Sequence, residues 1–182
     1  TGISIDLPWP VYIIFAAFVI VGADNAVNLT DGIDGLATGV TMPVMLFFTA
    51  VACFWGQLEL GIFSAGLFGG LCGFLIYNFH PAKVFMGDTG SMFFGGIVTA
   101  LAFVMQRPEL VLFFGIVYIW DAMTVVIQRT YFKATHGKRI FRMTPIHHAF
   151  EMRGWREVKI DGFFALIAVI GVAMGIFYIC VA

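Results

Sequence analysis

Six long apolar segments limit this chain to very few folds. They cover residues 7–23, 39–55, 60–77, 91–106, 110–127 and 163–181. Most of them approach the ~20 residues that an α-helix needs to cross a bilayer. Each is continuously apolar rather than alternating, so helices are expected and not the strands of a barrel. Charged residues make up 12% of the chain, which is about half the share in a soluble domain. The sequence therefore predicts an all-α polytopic membrane protein, with six transmembrane helices in a single domain over residues 1–182.

The linkers between these segments differ in length and in charge. The three long linkers, predicted to share one side of the membrane, are 24–38, 78–90 and 128–162. Eight of the ten basic residues fall in the last of them: Arg129, Lys133, Lys138, Arg139, Arg142, Arg153, Arg156 and Lys159. Because positive charge marks the cytoplasmic side, the three long linkers are predicted to be cytoplasmic loops. Every candidate functional group outside the spans then lies on one face.

The second long linker holds a carboxylate between glycines, just before a new apolar segment. Asp88 follows Gly87 and precedes Thr89-Gly90-Ser91. The first turn of the following helix offers unpaired N–H groups that suit a phosphate. A carboxylate needs a cation between itself and a phosphate, so one interpretation is a divalent metal with a phosphorylated ligand. The other is that Asp88 only caps the helix that starts near Ser91.

The first long linker carries four polar residues at intervals of three: Asn25, Asn28, Asp31 and Asp34. Residues at this spacing are neighbours on a helix, so we expect them to share one face at the membrane edge. Polar groups at this depth are costly unless they are used, which favours a binding role. Alternatively, Thr30 or Asp31 caps a helix. Capping explains one or two of these residues and not all four.

Two further polar features lie in and after the fifth segment. Asp121 falls inside it, and a carboxylate within the membrane is either functional or hydrogen-bonded to a neighbouring Thr or Tyr. In the third long linker, His147 and His148 follow a proline. They could donate to phosphate oxygens, ligate a metal or exchange protons. In an extended stretch two adjacent side chains point apart, so a shared metal is not indicated.

Three stretches resemble the signature motifs of the bacterial phospho-N-acetylmuramoyl-pentapeptide transferases. They are Asn25–Leu36 (NAVNLTDGIDGL), Pro81–Ser91 (PAKVFMGDTGS) and Gly137–Trp155 (GKRIFRMTPIHHAFEMRGW). These transferases belong to the superfamily of polyprenyl-phosphate N-acetylhexosamine-1-phosphate transferases. The resemblance implies ten transmembrane helices, a homodimer in the bacterial cytoplasmic (inner) membrane and an active site that faces the cytoplasm. It also implies transfer of phospho-MurNAc-pentapeptide from UDP to undecaprenyl phosphate, with Mg²⁺ as cofactor and with lipid I and UMP as products.

The resemblance also implies a role for individual residues. Asp88 would bind magnesium, and Phe85 would stack on uracil. The nucleotide side of the cleft would be lined by Asn28, Asp31 and Asp34, with Asn25 beside them. Gln128 would contact the nucleoside region, and His147 and His148 the sugar and phosphate end. Asp88, Asp31, Asp34, His147 and His148 would form the catalytic set. The partners would be the two substrates and the bilayer, and no nucleic acid is expected.

The chain departs from the family pattern in three places. Ala149 stands where members usually have a third histidine, and Asp121 stands where they carry a glutamate in the ninth helix. No adjacent Asp-Asp pair occurs in these 182 residues, whereas the family has one in its earlier half. This chain has six predicted spans, whereas the family has ten. We therefore expect that the chain is the C-terminal part of a longer protein.

Three other functions compete with this interpretation. A sister transferase that uses UDP-GlcNAc would share the first two motifs. An ion-coupled transporter would use Asp121 and the polar residues to line an ion path. A transporter does not explain three polar motifs on one face with none across the membrane. A scaffold would not need a Gly-Asp-Thr-Gly-Ser turn.

Overall fold

The computed structural model describes residues 8–181, so the predicted start of the first apolar segment at Leu7 lies outside the described residues. Within 8–181 the chain forms helices and loops without strands. The long helices are α1 (Trp9–Thr30), α2 (Leu36–Phe54), α3 (Leu58–Asn78), α4 (Gly87–Val104), α6 (Ile116–Ala134) and α8 (Glu157–Val181). The short elements are a 3-10 turn (Pro108–Leu110), α5 (Val111–Phe114) and α7 (Ile146–Glu151).

Five of these helices, α1, α2, α3, α4 and α8, are long and apolar enough to cross a membrane. A sixth span results if Pro108–Phe114 and α6 are taken together, although the chain bends by 80° between them. The bend falls at Gly115, where a side chain would collide with the Val111 carbonyl oxygen. The prediction of an all-α polytopic membrane protein is confirmed, and its fifth span is broken rather than continuous.

Helix α2 lies at the centre of the bundle, where it packs against α3 and α8. Its Phe47 and Phe48 rings meet Phe114 of α5, with centroids 5.6 and 4.9 Å apart. All three side chains are buried. Burying a Phe side chain contributes about 1.5–3 kcal/mol, so this cluster fixes α2 as the element against which the others are placed.

The three long linkers, 24–38, 78–90 and 128–162, are called the first, second and third polar segments below. All three lie at one end of the bundle, where the helix ends that they join meet. The helices extend further into these segments than the apolar pattern indicates. The predicted loop 24–38 is helical up to Thr30 and again from Leu36. The expectation that Asn28 to Asp34 share a helix face is therefore wrong. The backbone leaves α1 before Asp31, and Gly35 adopts φ = 80°, which favours glycine.

Candidate functional site

Asp88 contacts a side chain that lies 60 positions earlier in the chain. The Nδ2 amide of Asn28, near the end of α1, donates to Asp88 Oδ1 over 3.0 Å and to Ser91 Oγ over 3.0 Å. Ser91 in turn donates to the Gly87 carbonyl within the first turn of α4. The Asp88 side chain is exposed at this end of the bundle. The first and second polar segments therefore converge at Asp88.

The capping alternatives are not found at the described helix starts. Helix α4 begins at Gly87, with Asp88 in its first turn, and no side chain caps its N-terminal amides. Helix α2 follows Gly35, again without a side-chain cap. Thr30 donates instead to a carbonyl within α1. The capping interpretation is therefore wrong for Asp88, and neither Thr30 nor Asp31 caps α2.

Asp31 directly follows α1 and interacts with Asp88. Burial raises the pKa of the Asp31 carboxyl group to about 6. The backbone amide of Gly87 lowers this pKa, and the negative charge of Asp88 raises it. A half-buried carboxylate beside a second carboxylate is unfavourable when ionised, and a cation between the two would relieve the repulsion.

His147 connects the third polar segment to Asp121 of α6. Its Nδ1 donates to Asp121 Oδ2 over 3.0 Å, and both side chains are fully buried. With the proton on Nδ1, Nε2 of the neutral ring is an acceptor. This nitrogen has no hydrogen-bond partner among residues 8–181. Asp121 thus has a histidine partner rather than the Thr or Tyr considered above, which joins it to the candidate site.

Gly32 of the first segment lies against both histidines. A Cβ atom on Gly32 would collide with His147 Nε2 and would lie 3.2 Å from His148 Nε2. The two imidazole centroids are 4.3 Å apart, and His148 Nδ1 bonds to Glu151. The expectation of an extended stretch is wrong, because these residues form α7 directly after Pro145. A proline at a helix start costs no hydrogen bond.

Aromatic packing holds α7 against the bundle. The Phe150 ring centroid lies 4.9 Å from that of Trp155 and 5.9 Å from that of Phe164. Trp120 of α6 stacks on Phe164 at 5.4 Å. Aromatic pairs of this kind contribute about 0.5–1.5 kcal/mol each beyond their buried area. This cluster sets the position of the two histidines relative to α6 and α8.

Asp34 faces a different set of side chains. Its Oδ2 accepts from the Ala82 amide over 2.8 Å and lies 3.2 Å from His80 Nδ1. The same His80 nitrogen lies 3.0 Å from Glu157 Oε2 at the start of α8. The first, second and third polar segments therefore also meet at Asp34. Of the polar residues predicted to act together, Asn28 and Asp31 lie near Asp88, whereas Asp34 lies near His80.

Three predicted substrate-binding residues do not join these contacts. Asn25 donates to a carbonyl of its own helix over 2.8 Å. Phe85 is 71% exposed and lines a cavity of about 340 Å³ beside α3 and α4. Gln128 Oε1 accepts from the backbone amides of Ile140 and Phe141 over 3.0 and 2.9 Å. Gln128 therefore anchors the loop after α6, and the substrate contacts of all three stay predictions.

Sequence reasoning gave no role to several residues of the site, among them His80, Glu157 and Asn78. Asn78 accepts from Thr38 over 2.6 Å and donates to the Val84 carbonyl over 3.0 Å, so it shapes the second segment from within. His80 and Glu157 lie 77 positions apart. No local spacing relates such a pair, and the only signal was the position of each in or beside a polar linker.

Comparison with known proteins assigns the family. Residues 1–106 match the model of the family described as glycosyl transferase family 4. The chain belongs to glycosyl transferase family 4. A phospho-N-acetylmuramoyl-pentapeptide-transferase from Caldanaerobacter subterraneus subsp. tengcongensis is 51% identical over 92% of this chain and 52% of its own length. Proteins of the same name from Listeria welshimeri and Clostridium acetobutylicum are 44% and 49% identical, over 97% and 92% of this chain. The chain spans about half the length of the curated relatives it matches.

In this glycosyl transferase family 4 chain, the Asp31 and Asp88 carboxylates fit a hard divalent cation. Mg²⁺ takes oxygen ligands, keeps several waters and is usually held by one or two carboxylates. Asp88 is exposed, which leaves room for those waters. Burial, and after it the negative charge of Asp88, raises the pKa of Asp31, so a cation beside the two carboxylates would favour their ionised forms. The donor set therefore suits a hard divalent cation together with an anionic ligand.

Proposed function

We propose that the full-length protein is a phospho-N-acetylmuramoyl-pentapeptide transferase. It transfers phospho-MurNAc-pentapeptide from UDP-MurNAc-pentapeptide to undecaprenyl phosphate, and it forms lipid I and UMP in peptidoglycan biosynthesis. The names of the curated relatives support this activity. The protein spans the bacterial inner membrane with its active site towards the cytoplasm, where the basic third segment would lie. It acts as a homodimer, as the resemblance implies.

The observation that carries the proposal is the contact between Asn28 and Asp88, with Asp31 beside it. These residues come from two of the three motifs, and they place the half-buried carboxylate of Asp31 near the exposed carboxylate of Asp88. Exchange of one phosphate ester for another gains little free energy, so the protein's task is to position two anionic substrates and to neutralise their charge. A site with paired carboxylates and a basic neighbouring segment suits that task.

Asp88 and Asp31 would hold Mg²⁺. When bound, the ion would neutralise the diphosphate oxygens and favour departure of UMP. The Asn28 amide holds one oxygen of Asp88 and so fixes the orientation of this carboxylate. The exchange itself proceeds in line: an oxygen of the lipid phosphate attacks the phosphorus attached to the sugar, and the bond to the UMP oxygen breaks.

His147 and His148 contact the sugar and phosphate end of the substrate. Asp121 fixes the proton on His147 Nδ1, so Nε2 is directed towards the first segment at Gly32. Asp121 would also stabilise the ring if it becomes protonated. Ala149, where the family usually has a third histidine, is 4% exposed on the packed face of α7. A histidine at this position would have to displace neighbouring side chains, so two histidines serve the site here.

The remaining residues bind the nucleotide. Phe85 is exposed and free to stack on uracil. Gln128 contacts the nucleoside region through its amide nitrogen, since its oxygen accepts from the loop after α6. Asn25 and Asp34 line the same side of the cleft. The adjacent aspartates that the family carries in its earlier half do not occur in these residues, and the complete site would include them.

Release of UMP tests the proposal directly. The full-length protein, reconstituted with undecaprenyl phosphate and Mg²⁺, should release UMP from UDP-MurNAc-pentapeptide and form lipid I. Release from UDP-GlcNAc instead would identify the sister transferase. Ion flux into liposomes without product would identify a transporter. Radiolabelled phosphate trapped on the protein in the absence of lipid would replace direct transfer with a two-step route.

A further inference from the structure

A second cluster of metal-ligating side chains lies around His80. Its Nδ1 is 3.2 Å from Asp34 Oδ2 and 3.0 Å from Glu157 Oε2. The three ligand atoms all lie within 4.8 Å of one another. Ligand atoms about 2.0–2.1 Å from a tetrahedral ion are about 3.3 Å from each other. The observed separations from His80 are therefore close to those of a tetrahedral coordination shell.

A third carboxylate, Asp161, is buried next to this cluster. It lies one helical turn after Glu157 on the same face of α8, and only 6% of it is exposed. Neither of its carboxylate oxygens has a hydrogen-bond partner within the described part of the chain. Its Oδ2 lies 3.2 Å from the position of a Cβ on Gly35, directly after Asp34.

The cluster does not balance its own charge. Three carboxylates carry up to three negative charges, and a protonated His80 supplies one positive charge. Lys159, on the same turn of α8, lies over the Trp155 ring at 3.9 Å. An ionised carboxylate that is buried without a partner is strongly unfavourable. A divalent cation would supply the missing charge and a partner for Asp161 at once.

We propose that His80, Asp34 and Glu157 bind Zn²⁺ and that Asp161, the unpartnered carboxylate beside them, completes the site as the fourth ligand. One imidazole nitrogen with carboxylate oxygens is a borderline donor set, and imidazole favours zinc over Mg²⁺ or Ca²⁺. Zinc displaces the proton from His80 Nδ1. The Ala82 amide donates to Asp34 Oδ2 over 2.8 Å, and bonds of this kind hold a metal-binding carboxylate in place.

The zinc ion joins three parts of the fold that are distant in the sequence. His80 follows α3, Asp34 precedes α2, and Glu157 and Asp161 open α8. The role of the ion is to fix these helix ends relative to one another, and it differs from that of a Mg²⁺ ion at Asp88. The site does not depend on the transferase activity, because its ligands, apart from Asp34, have no part in the proposed reaction.

Metal analysis of the full-length protein tests the site. The protein is purified with an affinity tag that lacks histidine, treated with chelator and dialysed against buffered Zn²⁺. Zinc per chain is then measured by mass spectrometry for the unmodified protein and for four variants. Two variants remove ligands (His80→Gln and Asp161→Asn). Glu59→Gln changes an exposed glutamate at the other end of α3, and Asp88→Asn changes the proposed Mg²⁺ ligand.

We expect one zinc per chain in the unmodified protein, in Glu59→Gln and in Asp88→Asn. In His80→Gln and Asp161→Asn the zinc affinity should fall by at least about 100-fold. Loss of a metal ligand weakens metal binding more than loss of a hydrogen bond that orients a ligand. Zinc binding should also raise the thermal midpoint of the unmodified protein. Absence of zinc from the unmodified protein would overturn the proposal, as would zinc retained by both ligand variants or lost with Asp88→Asn.

The absorption spectrum of Co²⁺-substituted protein covers the case in which the ligand variants do not fold. Tetrahedral Co²⁺ bound by the unmodified protein gives intense visible bands, and six-coordinate Co²⁺ gives weak ones. Intense bands that Zn²⁺ abolishes support the four-ligand site. Weak or absent bands overturn it.

Discussion

Asn28 Nδ2 and Asp88 Oδ1 are hydrogen-bonded over 3.0 Å although 60 positions separate the two residues. The bond links α1 to α4, which pack along their length. This packing is close because Gly95 faces the α1 backbone, and a Cβ on Gly95 would lie 2.5 Å from Asp24 Cα. A glycine within the helix contact and an amide at its end together set the position of Asp88.

Replacing Asn28 by alanine should lower kcat/KM for UDP-MurNAc-pentapeptide by about 10- to 100-fold. Hydrogen bonds to a charged group are worth about 1.5–3 kcal/mol, and each 1.4 kcal/mol is a factor of ten. Asn28→Ala removes the bonds to Asp88 and Ser91. Kinetics of UMP release measure the effect, with Gln57→Ala, an exposed amide at the other end of the bundle, as the control. Equal rates for the two variants would contradict a role for the Asn28 contact.

Asp31 should make the metal-free protein less stable as the pH rises. Its pKa is about 6 in the folded protein and 3.8 ordinarily, so between these values the folded state binds more protons than the unfolded state. The contribution of Asp31 to the free energy of unfolding therefore falls as the pH rises from about 4 to about 6.

The variant Asp31→Asn isolates this effect. In the presence of chelator it should raise the free energy of unfolding by about 1–2 kcal/mol at pH 7.5 and by much less at pH 4.5. Thermal unfolding in detergent at the two pH values measures the difference. An increase in the free energy of unfolding of the same size at both pH values would show that ionisation of Asp31 does not destabilise the folded protein.

Gly32→Ala should impair catalysis more than folding. The φ of Gly32 is not in the left-handed region, so alanine fits the backbone, but its Cβ would displace His147 and crowd His148. We expect kcat to fall at least about tenfold, because small displacements of catalytic groups are costly. Gly39→Ala, with open space around its Cβ, is the matched control. Normal turnover by Gly32→Ala would mean that catalysis does not require His147 and His148 at the positions observed in the structure.

Asp121→Ala should destabilise the protein by about 3–5 kcal/mol, because it leaves a fully buried His147 without its partner. Asp121→Glu restores the residue usual in the family but adds a methylene to a packed site, which costs about 1–3 kcal/mol. Chemical unfolding of both variants is compared with that of Glu109→Ala, a change in the 3-10 turn at the opposite end of the bundle. A loss below 0.5 kcal/mol in Asp121→Ala, about the scatter of surface substitutions, would contradict the pairing.

The sequence predicted the helical membrane fold because apolar length alone decides it. It also predicted that the motifs around Asn28, Asp88 and His147 meet, since all three linkers share one side. The helix ends were less predictable. The polar residues Asp24 to Thr30 continue α1 because nothing in them breaks a helix, whereas the glycines at 32 and 35 end it.

Pairings across the chain could not be derived from local patterns. The partner of Asp34 is His80, and that of Asp121 is His147. Each depends on how α3, α6 and α8 pack, which periodicity does not determine. Ligand-binding roles of Phe85 and Gln128 rest on resemblance, because in the structure Gln128 already bonds to its own loop.

The most direct measurement is UMP release by the full-length Asp88→Asn protein in liposomes that contain undecaprenyl phosphate and Mg²⁺. Asparagine has nearly the same shape and keeps an oxygen for the Asn28 amide, so the protein should express and fold normally while turnover is abolished. Release of UMP at the unmodified rate would show that Asp88 holds no metal, and the convergence of the three segments would then have no catalytic meaning.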